Sequence, residues 1–499
     1  MRRDWQFVPR CAALAAFVLA ACAGPRAGRS PAKGGRPWIE IRTAHYTLQT
    51  DLSSEDARET ALYLERTRAA LLAAAWPHAK PPVDNLAAFV LRDDLEFQRM
   101  FGMDFTGLFV RGDFNSFILF SGKPGESGWQ SRGIGMTLKH ELSHHLSAYF
   151  LLQQPRWLSE GIASYLETIE ISDDGSRASV GYANARLLRP HPARVQDVLA
   201  WTNETPEEID PQRLYAGAWL LVHWLINRKL EQFGDFQQRL VKGQQFESAW
   251  NRAFEGLQLD RLDDELAHYR AYQTYAVRVP PVEAPISGRS LTDAEVHALR
   301  AHLVLSTMES FQGERVERFQ FVRREVDEAL RQDPGNVSAL SSMSELQPSM
   351  VEDLARQAVA AHPESDQAWV MLAQALKSAG HSPPEQEQAL KKAISLGPQN
   401  ALAAHHLASL YVNQKKYLAA LPLAKRALEL APWSSPAWNT YAAIAFGLKS
   451  CQEAIAAENR ALELIPEGTD RVTARQYRER LDAYQASCRG AAAVTGKSN

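Results

Sequence analysis

The spacing of apolar residues divides the chain into a first part with mixed patterns and a second part with helical patterns. Residues 38–51 (WIEIRTAHYTLQTD) alternate and are rich in β-branched and aromatic residues, which predicts a strand. A helix is expected after Ser53 and Ser54 and through Trp76, and the apolar runs 86–92 and 114–122 predict two more strands. Helical patterns dominate afterwards, so we predict an α+β domain over residues 37–276.

Prolines punctuate the second part of the chain at nearly constant intervals. Residues 277–290 (VRVPPVEAPISGRS) have the composition of a linker. Beyond them, prolines that end helical patterns such as RALELAP and RALELIP recur at spacings of 29, 35, 34 and 34 residues; they are Pro334, Pro363, Pro398, Pro432 and Pro466. This period predicts paired antiparallel helices stacked into a solenoid, and a helical domain without repeats is the alternative.

The repeating units resemble tetratricopeptide repeats, because Ala408, Tyr411, Ala420 and Ala427 stand at that family's small and aromatic positions. The resemblance implies an all-α solenoid that recruits a protein partner. We predict a degenerate repeat or capping region at 291–366, the repeats themselves at 367–466, a closing helix at 467–488 and a disordered tail at 489–499.

The first 22 residues differ from the rest of the chain. A basic start and the short apolar run CAALAAFVLAAC are typical of a secretion signal over residues 1–22, followed by a flexible tether over 23–36. The sequence LAAC ending at Cys22 resembles the lipobox of bacterial lipoproteins, which implies that Cys22 carries a lipid anchor. Secretion without a lipid is the alternative. The resemblance, with Ala23 after the cysteine, implies attachment to the periplasmic face of the outer membrane.

Composition narrows the possible partners of this chain. Its 499 residues include 55 Lys and Arg against 58 Asp and Glu, a formal net charge of -3, which gives no electrostatic basis for nucleic-acid binding. Of its four cysteines, Cys451 and Cys488 lie near the C-terminus. An oxidising envelope compartment would allow them to form a disulfide, and two unrelated buried thiols are the alternative.

The stretch LKHELSHHLSAYF, residues 138–150, contains three histidines and one glutamate. On a helix, at about 100° per residue, His140 and His144 point the same way while His145 is turned about 140° from His140. The leucines fall on the opposite side; they are Leu138, Leu142 and Leu146. The spacing therefore predicts that His140 and His144 bind one metal ion and that His145 does not, whereas an ordinary solvated helix face is the alternative.

The motif H-E-x-x-H resembles that of the zincin metallopeptidases, in which two histidines bind Zn²⁺ and the glutamate is the general base, here Glu141. The stretch PRWLSEGIASYLE, residues 155–167, resembles the second signature of the gluzincins, and more narrowly of the peptidase-MA-like group. This resemblance implies that Glu160, before the glycine, is the third zinc ligand. Glu167 is the competing ligand, since it falls on the same helix face.

A later helix offers a further catalytic candidate. RLYAGAWLLVHWL, residues 213–225, resembles the helix that provides an oxyanion-stabilising residue in this group, which implies that role for Tyr215. A tyrosine that only packs is the alternative. We expect His223 to be a core residue. The segment Phe114 to Phe120 is either the edge strand that pairs with substrate or an ordinary strand of the sheet.

The patterns predict a multi-domain protein, and the resemblances imply an α+β gluzincin-type metallopeptidase domain followed by an all-α solenoid of tetratricopeptide repeats. We expect a cell-envelope enzyme with one Zn²⁺ that hydrolyses peptide or protein substrates, and an endopeptidase because the substrate-amine anchor of aminopeptidases is not identified. The alternative is a proteolytically inactive metal-binding scaffold lipoprotein that acts through its repeats.

Overall fold

The computed structural model describes residues 25–495 except 84, 103–106, 125–133, 190, 203–205, 207, 271, 284, 309–314 and 466–470. The predicted signal peptide and the lipidation candidate Cys22 lie outside the described residues. In the described part of the chain, no helix is both long enough and apolar enough to cross a membrane.

A six-stranded mixed sheet forms the centre of the first domain. Its strands are β1 (Ile39–Arg42), β2 (Tyr46–Thr50), β3 (Leu86–Leu91), β4 (Gly107–Val110), β5 (Phe117–Ser121) and β9 (Ser287–Ser290), in the order β4-β5-β3-β2-β1-β9. β2, β3 and β5 run parallel, and β1, β4 and β9 pair antiparallel. The prediction of one strand over 38–51 is wrong, because the chain reverses at residues 43–45 and makes two strands of it.

Both faces of this sheet are buried. Alternate residues of β3 and β5 enter two different cores: Ala88, Val90, Ile118 and Phe120 enter the first, and Phe89, Leu91, Phe117 and Leu119 enter the second. Strands covered on both faces need apolar residues at successive positions, which explains the continuous runs LAAFVL and FILF.

Helices and a small second sheet cover the first face. The helices up to residue 276 are α1 (Ser54–Ala75), α2 (Asp94–Phe101), α3 (Ile134–Leu151), α4 (Arg156–Leu166), α5 (Val195–Ala200), α6 (Pro211–Arg228), α7 (Leu230–Val241), α8 (Phe246–Ala253) and α9 (Leu259–His268). Of these, α2 packs on the second face instead. The small sheet consists of β6 (Glu170–Ile171), β7 (Arg177–Val180) and β8 (Tyr275–Arg278). Apolar residues of α1, α3, α4 and α6 share the first core with the large sheet.

The predicted linker over 277–290 carries strands at both ends, so the prediction of a plain linker is wrong. β8 pairs with β7, and β9 pairs with β1 so that Arg289 stands opposite Glu40. All four residues of β9 are exposed. A strand held at a sheet edge by backbone hydrogen bonds needs no apolar pattern, so the side chains of this segment do not indicate a strand.

The described residues of 291–366 form helices, and these helices cover the second face of the sheet. They are α10 (Asp293–Ser306), α11 (Arg315–Gln332), α12 (Val337–Leu346) and α13 (Val351–Ala361). Val296, Leu303 and Val322 lie in the same core as Phe89 and Leu119. The first domain is thus a sheet between two helical layers.

Three helical hairpins follow at the spacing of the proline repeat. They are α14 (Asp366–Ser378) with α15 (Pro383–Leu396), α16 (Ala401–Asn413) with α17 (Tyr417–Leu430), and α18 (Ser435–Gly447) with α19 (Cys451–Glu463). Ser365, Asn400 and Ser434 cap the first helix of each hairpin by accepting a hydrogen bond from the backbone N–H three residues on. This regular structure is a tetratricopeptide-type helical repeat.

The C-terminal segment is helical for longer than predicted. Helix α20 (Arg471–Thr495) packs on the last hairpin, and a disulfide joins Cys488 in it to Cys451 in α19, with their Cα atoms 5.8 Å apart. The prediction of a disordered tail over 489–499 is wrong as far as Thr495, since the alanine-rich sequence there favours continuation of the helix.

The repeats dock against the first domain beside helix α3. The Trp433 indole N–H donates to the Gly112 carbonyl oxygen at 2.9 Å, and the Tyr149 hydroxyl of α3 donates to the Glu429 carbonyl oxygen at 3.1 Å. Phe114 stacks on His405 of α16, with ring centroids 4.9 Å apart. The helix that carries the candidate metal ligands is therefore also part of the interface between the two domains.

Candidate metal centre

Two consecutive helices bring the candidate ligands together. His140 and His144 lie one turn apart on α3, the chain reverses at residues 152–155, and Glu160 lies in the second turn of α4. Gly161 lets α4 approach α6, because an added Cβ would lie 2.6 Å from the Val222 side chain and 2.7 Å from the carbonyl oxygen of Ala218. A larger residue at this position would push α4, and Glu160 with it, out of place.

The ligand atoms converge on one point. Nε2 of His140 and Nε2 of His144 are 3.0 Å apart, and Oε2 of Glu160 lies 3.4 Å from each of them. Zinc bound tetrahedrally at about 2.0–2.1 Å separates its ligand atoms by about 3.3 Å. The three side chains therefore fit a zinc ion, and each remains slightly exposed, at 12–14% of its side-chain surface.

The Nδ1 atoms of both imidazoles contact side-chain oxygen atoms of neighbouring residues. Nδ1 of His140 is 2.6 Å from Oε2 of Glu167, and Nδ1 of His144 is 2.9 Å from Oγ of Ser159. With the Nδ1 protons donated to these oxygens, both Nε2 lone pairs are free for a metal. Glu167 therefore contacts the side of the His140 ring that faces away from the point where the candidate ligand atoms converge.

Glu167 is itself fixed by two donors that the sequence did not indicate. Asn184 donates to its Oε1 at 2.6 Å and Arg186 donates to the same atom at 3.0 Å. These residues follow β7, far from the motifs in sequence, so no spacing rule could find them. Ser159, next to Glu160, also carried no signal, because the role of its hydroxyl depends on where α3 lies.

Glu141 is buried beside the two histidines and against strand β4. The backbone N–H of Phe109 donates to its carboxylate. A Cβ on Gly107 would come within 3.4 Å of that carboxylate, so the strand and the glutamate are in close contact. Burial raises the pKa of Glu141, which makes its carboxylate a better proton acceptor than an exposed one.

Tyr215 lies on α6, close enough to Glu160 and Glu141 to interact with their charges. Its ring packs edge-on against Trp201 with centroids 5.2 Å apart, and its hydroxyl interacts with Arg156. Burial and the nearby charge of Glu160 raise the pKa of Tyr215 to about 12, so the phenol stays protonated and can donate a hydrogen bond. The structure therefore brings Tyr215 near the candidate ligands, and packing and hydrogen-bond donation are both open to it.

The remaining histidines of these helices lie outside the centre. His145 packs between Phe109 and Trp433, with ring centroids at 5.6 and 6.1 Å. His223 is fully buried, where Nδ1 contacts the Tyr269 hydroxyl at 3.0 Å and Nε2 contacts the Gly181 carbonyl oxygen at 3.0 Å.

The edge strands of the six-stranded sheet are β4 and β9, and the segment Phe114 to Phe120 contributes the inner strand β5. β5 within that segment pairs on both sides, with β3 and with β4. Within the described residues, β4 pairs only with β5. The strand nearest Glu141 therefore keeps one side of its backbone unpaired with other strands, whereas the segment Phe114 to Phe120 contains an ordinary inner strand of the sheet, which agrees with the second of its two interpretations.

Comparison with known families finds a match only for the segment that contains the candidate metal ligands. Residues 135–247 match a family described as "Protein of unknown function (DUF1570)", a segment that starts in α3 and ends in α8. No curated protein matches the chain.

Several solved structures are similar to part of this chain. A crystal structure of MamA is 21% identical and covers 30% of this chain and 88% of its own, with a TM-score of 0.25. A tetratricopeptide-repeat protein of Thermus thermophilus is 19% identical and covers 38% and 99%, with a TM-score of 0.30. PilW, a type IV pilus biogenesis factor, is 17% identical and covers 38% and 93%, with a TM-score of 0.29. The chain thus joins a tetratricopeptide-type repeat, identified by its own hairpins, to a domain in which residues 135–247 match a family described as of unknown function.

Proposed function

We propose that this protein is a zinc-dependent metallopeptidase of the gluzincin type. The observation that carries the proposal is the convergence of His140, His144 and Glu160 at 3.0–3.4 Å, with Glu141 buried beside them. A metal site that served only structure would have no use for a fourth, non-ligating carboxylate next to an accessible position.

His140, His144 and Glu160 would hold the zinc ion, which when bound supplies Lewis acidity to the scissile carbonyl and the attacking water. Glu141 accepts the proton of that water on its carboxylate and delivers it to the departing amine nitrogen. Tyr215 donates its hydroxyl proton in a hydrogen bond to the oxyanion that develops from the carbonyl. β4 offers backbone groups to an extended peptide, as an exposed sheet edge can.

A second candidate is a metal-binding scaffold without peptidase activity. It is favoured by the docking of the repeats on α3 through Tyr149 and Trp433. Because the metal-site domain and the repeats share an interface, they can act together as one scaffold. In both candidates the repeats bind a protein partner.

Metal analysis combined with peptide cleavage separates the two candidates. We expect one zinc ion at the His140 site and cleavage of a peptide library that stops on chelation and returns when zinc is added back. Zinc binding by His140 and His144 without cleavage of any library member or of unfolded proteins would favour the scaffold. Cleavage that survives complete chelation would contradict the proposal.

We further propose that the chain is lipid-anchored in the bacterial cell envelope through Cys22. The disulfide between Cys451 and Cys488 supports an oxidising compartment. Palmitate labelling in a bacterial host should mark the full-length chain and not the Cys22→Ser variant. Equal labelling of both would contradict this anchor.

A further inference from the structure

A second cluster of metal-ligating side chains lies at the start of the layer that covers the second face of the sheet. Asp293 and His297 lie one turn apart on α10, and Glu328 approaches them from α11. One ligand atom from each of these residues lies within 4.8 Å of the other two. The cluster is on the opposite side of the sheet from His140, since α10 packs on the second core and α3 on the first.

His297 is placed as a metal-binding histidine is. Its ring is buried, with 6% of its side chain exposed, and Nδ1 lies 2.7 Å from Oε2 of Glu325. Nε2 is buried and makes no hydrogen bond to any described residue, although it lies 3.4 Å from Oδ2 of Asp293. An imidazole held from behind by a carboxylate, with its other nitrogen turned toward two more carboxylates, matches the arrangement around protein-bound metal ions.

The oxygens of the cluster are also held in position. The backbone N–H of Ala32 donates to Oδ1 of Asp293 at 2.8 Å. The amide of Gln332 bridges the two acids, with its Nε2 2.8 Å from Oδ2 of Asp293 and 3.1 Å from Oε1 of Glu328. If the Gln332 amide rotated by about 180°, its oxygen in place of its nitrogen would face a cation between the two acids. The amide oxygen would then be a fourth ligand atom.

We propose that Asp293, His297 and Glu328 form a second metal site, for a first-row divalent cation such as Zn²⁺ or Mn²⁺. One imidazole nitrogen with carboxylate oxygens suits these ions, whereas Mg²⁺ and Ca²⁺ prefer oxygen donors alone. Because Ser30 and Ala32 also contact Asp293, the site fastens the segment that follows the predicted signal peptide to α10 and α11.

Nearby cations define the competing explanation. Lys33 lies 3.6 Å from Glu328 and Arg331 lies 2.7 Å from it, so the Glu328 carboxylate already has cationic partners. A protonated His297 between Glu325 and Asp293 would complete an ion-pair network without metal. The two explanations differ in the number of metal ions that the chain binds.

The test counts metal ions in the full-length chain, purified in detergent and titrated with Zn²⁺ or with Mn²⁺. We expect two equivalents for the wild type, one for His297→Ala, and one for the double variant His140→Ala/His144→Ala. Asp293→Asn provides a second variant if His297→Ala does not fold, and it should also bind one. His362→Ala is the matched control, because His362 is a partly exposed histidine outside both candidate sites, and this variant should bind two equivalents of metal.

The outcomes separate this inference from the proposed peptidase. A wild type that binds one equivalent, lost completely in the His140→Ala/His144→Ala variant, would overturn the second site and leave the first intact. One equivalent that is lost in His297→Ala but kept in His140→Ala/His144→Ala would support the second site and contradict the zinc site of the peptidase. Two equivalents that persist in both His297→Ala and Asp293→Asn would place the second ion elsewhere and also overturn the inference.

Discussion

Two glutamates on one face of α4 and its C-cap have different roles at the metal centre. Glu160 turns its carboxylate toward the histidine Nε2 atoms, whereas Glu167, two turns later, reaches Nδ1 of His140 and is held by Asn184 and Arg186. A charged hydrogen bond at Nδ1 fixes the ring and raises the basicity of Nε2. Glu167 is therefore expected to set metal affinity without binding the metal.

Substitution of Glu167 by Gln should weaken zinc binding about 10–100-fold, because a neutral amide orients His140 less firmly and does not balance its charge. Competition with a chelator of known affinity measures the change. Glu247→Gln, at an exposed position on α8, is the control and should leave affinity unchanged. Equal affinity in the two variants would mean that Glu167 has no such role.

Metal affinity should also depend on pH through His140. Burial acts to lower the pKa of His140, but the hydrogen bonds with Glu160 and Glu167 outweigh burial and raise the pKa well above its ordinary value. Between the ordinary value and the raised one, the metal-free site holds a proton that zinc must displace. Apparent affinity should therefore rise about tenfold per pH unit in that window and level off above it. Affinity that is flat across this window would contradict the argument.

At the residue scale, the sequence predicted the features that depend only on the geometry of a single helix. The 40° offset of His140 and His144, and the exclusion of His145, depend on helix geometry alone and agree with the positions of the rings. The choice between Glu160 and Glu167 required the resemblance to a known signature, since both lie on one face. The contacts of Asn184, Arg186, Ser159 and Arg156 depend on how separate elements approach, which no spacing in the sequence contains.

At the scale of elements, the repeat hairpins share one turn geometry. Gly380, Lys415 and Lys449 occupy the same position after the first helix of each hairpin, with φ of 75°, 58° and 65°. In each turn the residue that follows donates its N–H back to a carbonyl oxygen five residues earlier in the helix. This is the left-handed C-terminal cap that favours glycine, and only the first of the three hairpins has a glycine there.

Replacing Lys449 by Gly should therefore raise the free energy of unfolding by about 1 kcal/mol, because the strain of a side chain at positive φ is removed. The Lys449 side chain is exposed and loses little contact. Lys425→Gly, at an exposed position inside α17, is the opposite control and should lower stability by about 1 kcal/mol. Urea denaturation followed by tryptophan fluorescence measures both; a destabilised Lys449→Gly would contradict the strain argument.

Element boundaries were predictable where a side-chain pattern sets them. The 34-residue period located the hairpins, because each needs a cap and small residues at fixed positions. The division of residues 38–51 into β1 and β2 and the strand β9 were not predictable, since they rest on backbone hydrogen bonds that leave no side-chain pattern.

At the scale of the whole molecule, the repeats and the metal domain form one interface. Trp433 is buried against Val83, Phe114 and Tyr149, and a second contact joins Arg460 to the Val241 carbonyl oxygen at 2.8 Å. The ring of His145, which follows the candidate ligand His144, also packs against Trp433. A partner bound to the repeats could thus act on α3 through contacts that already exist.

Trp433→Ala should uncouple the two domains, because it removes a buried indole worth about 3–5 kcal/mol and its hydrogen bond to Gly112. We expect unfolding of this variant to split into two transitions, as seen by calorimetry. Trp438→Ala is the matched control, since the Trp438 indole donates to the Pro432 carbonyl oxygen within the repeats. It should destabilise the repeats without separating the domains; a single transition in Trp433→Ala would contradict the coupling.

The central claim is that Glu141 performs proton transfer at a zinc site. Its most direct test compares peptide-library cleavage by the zinc-loaded wild type, Glu141→Gln and the control Glu247→Gln. We predict that Glu141→Gln keeps its zinc at His140, His144 and Glu160 and cleaves about 10²–10⁴-fold more slowly, while the control matches the wild type. Undiminished cleavage by zinc-loaded Glu141→Gln would contradict the account.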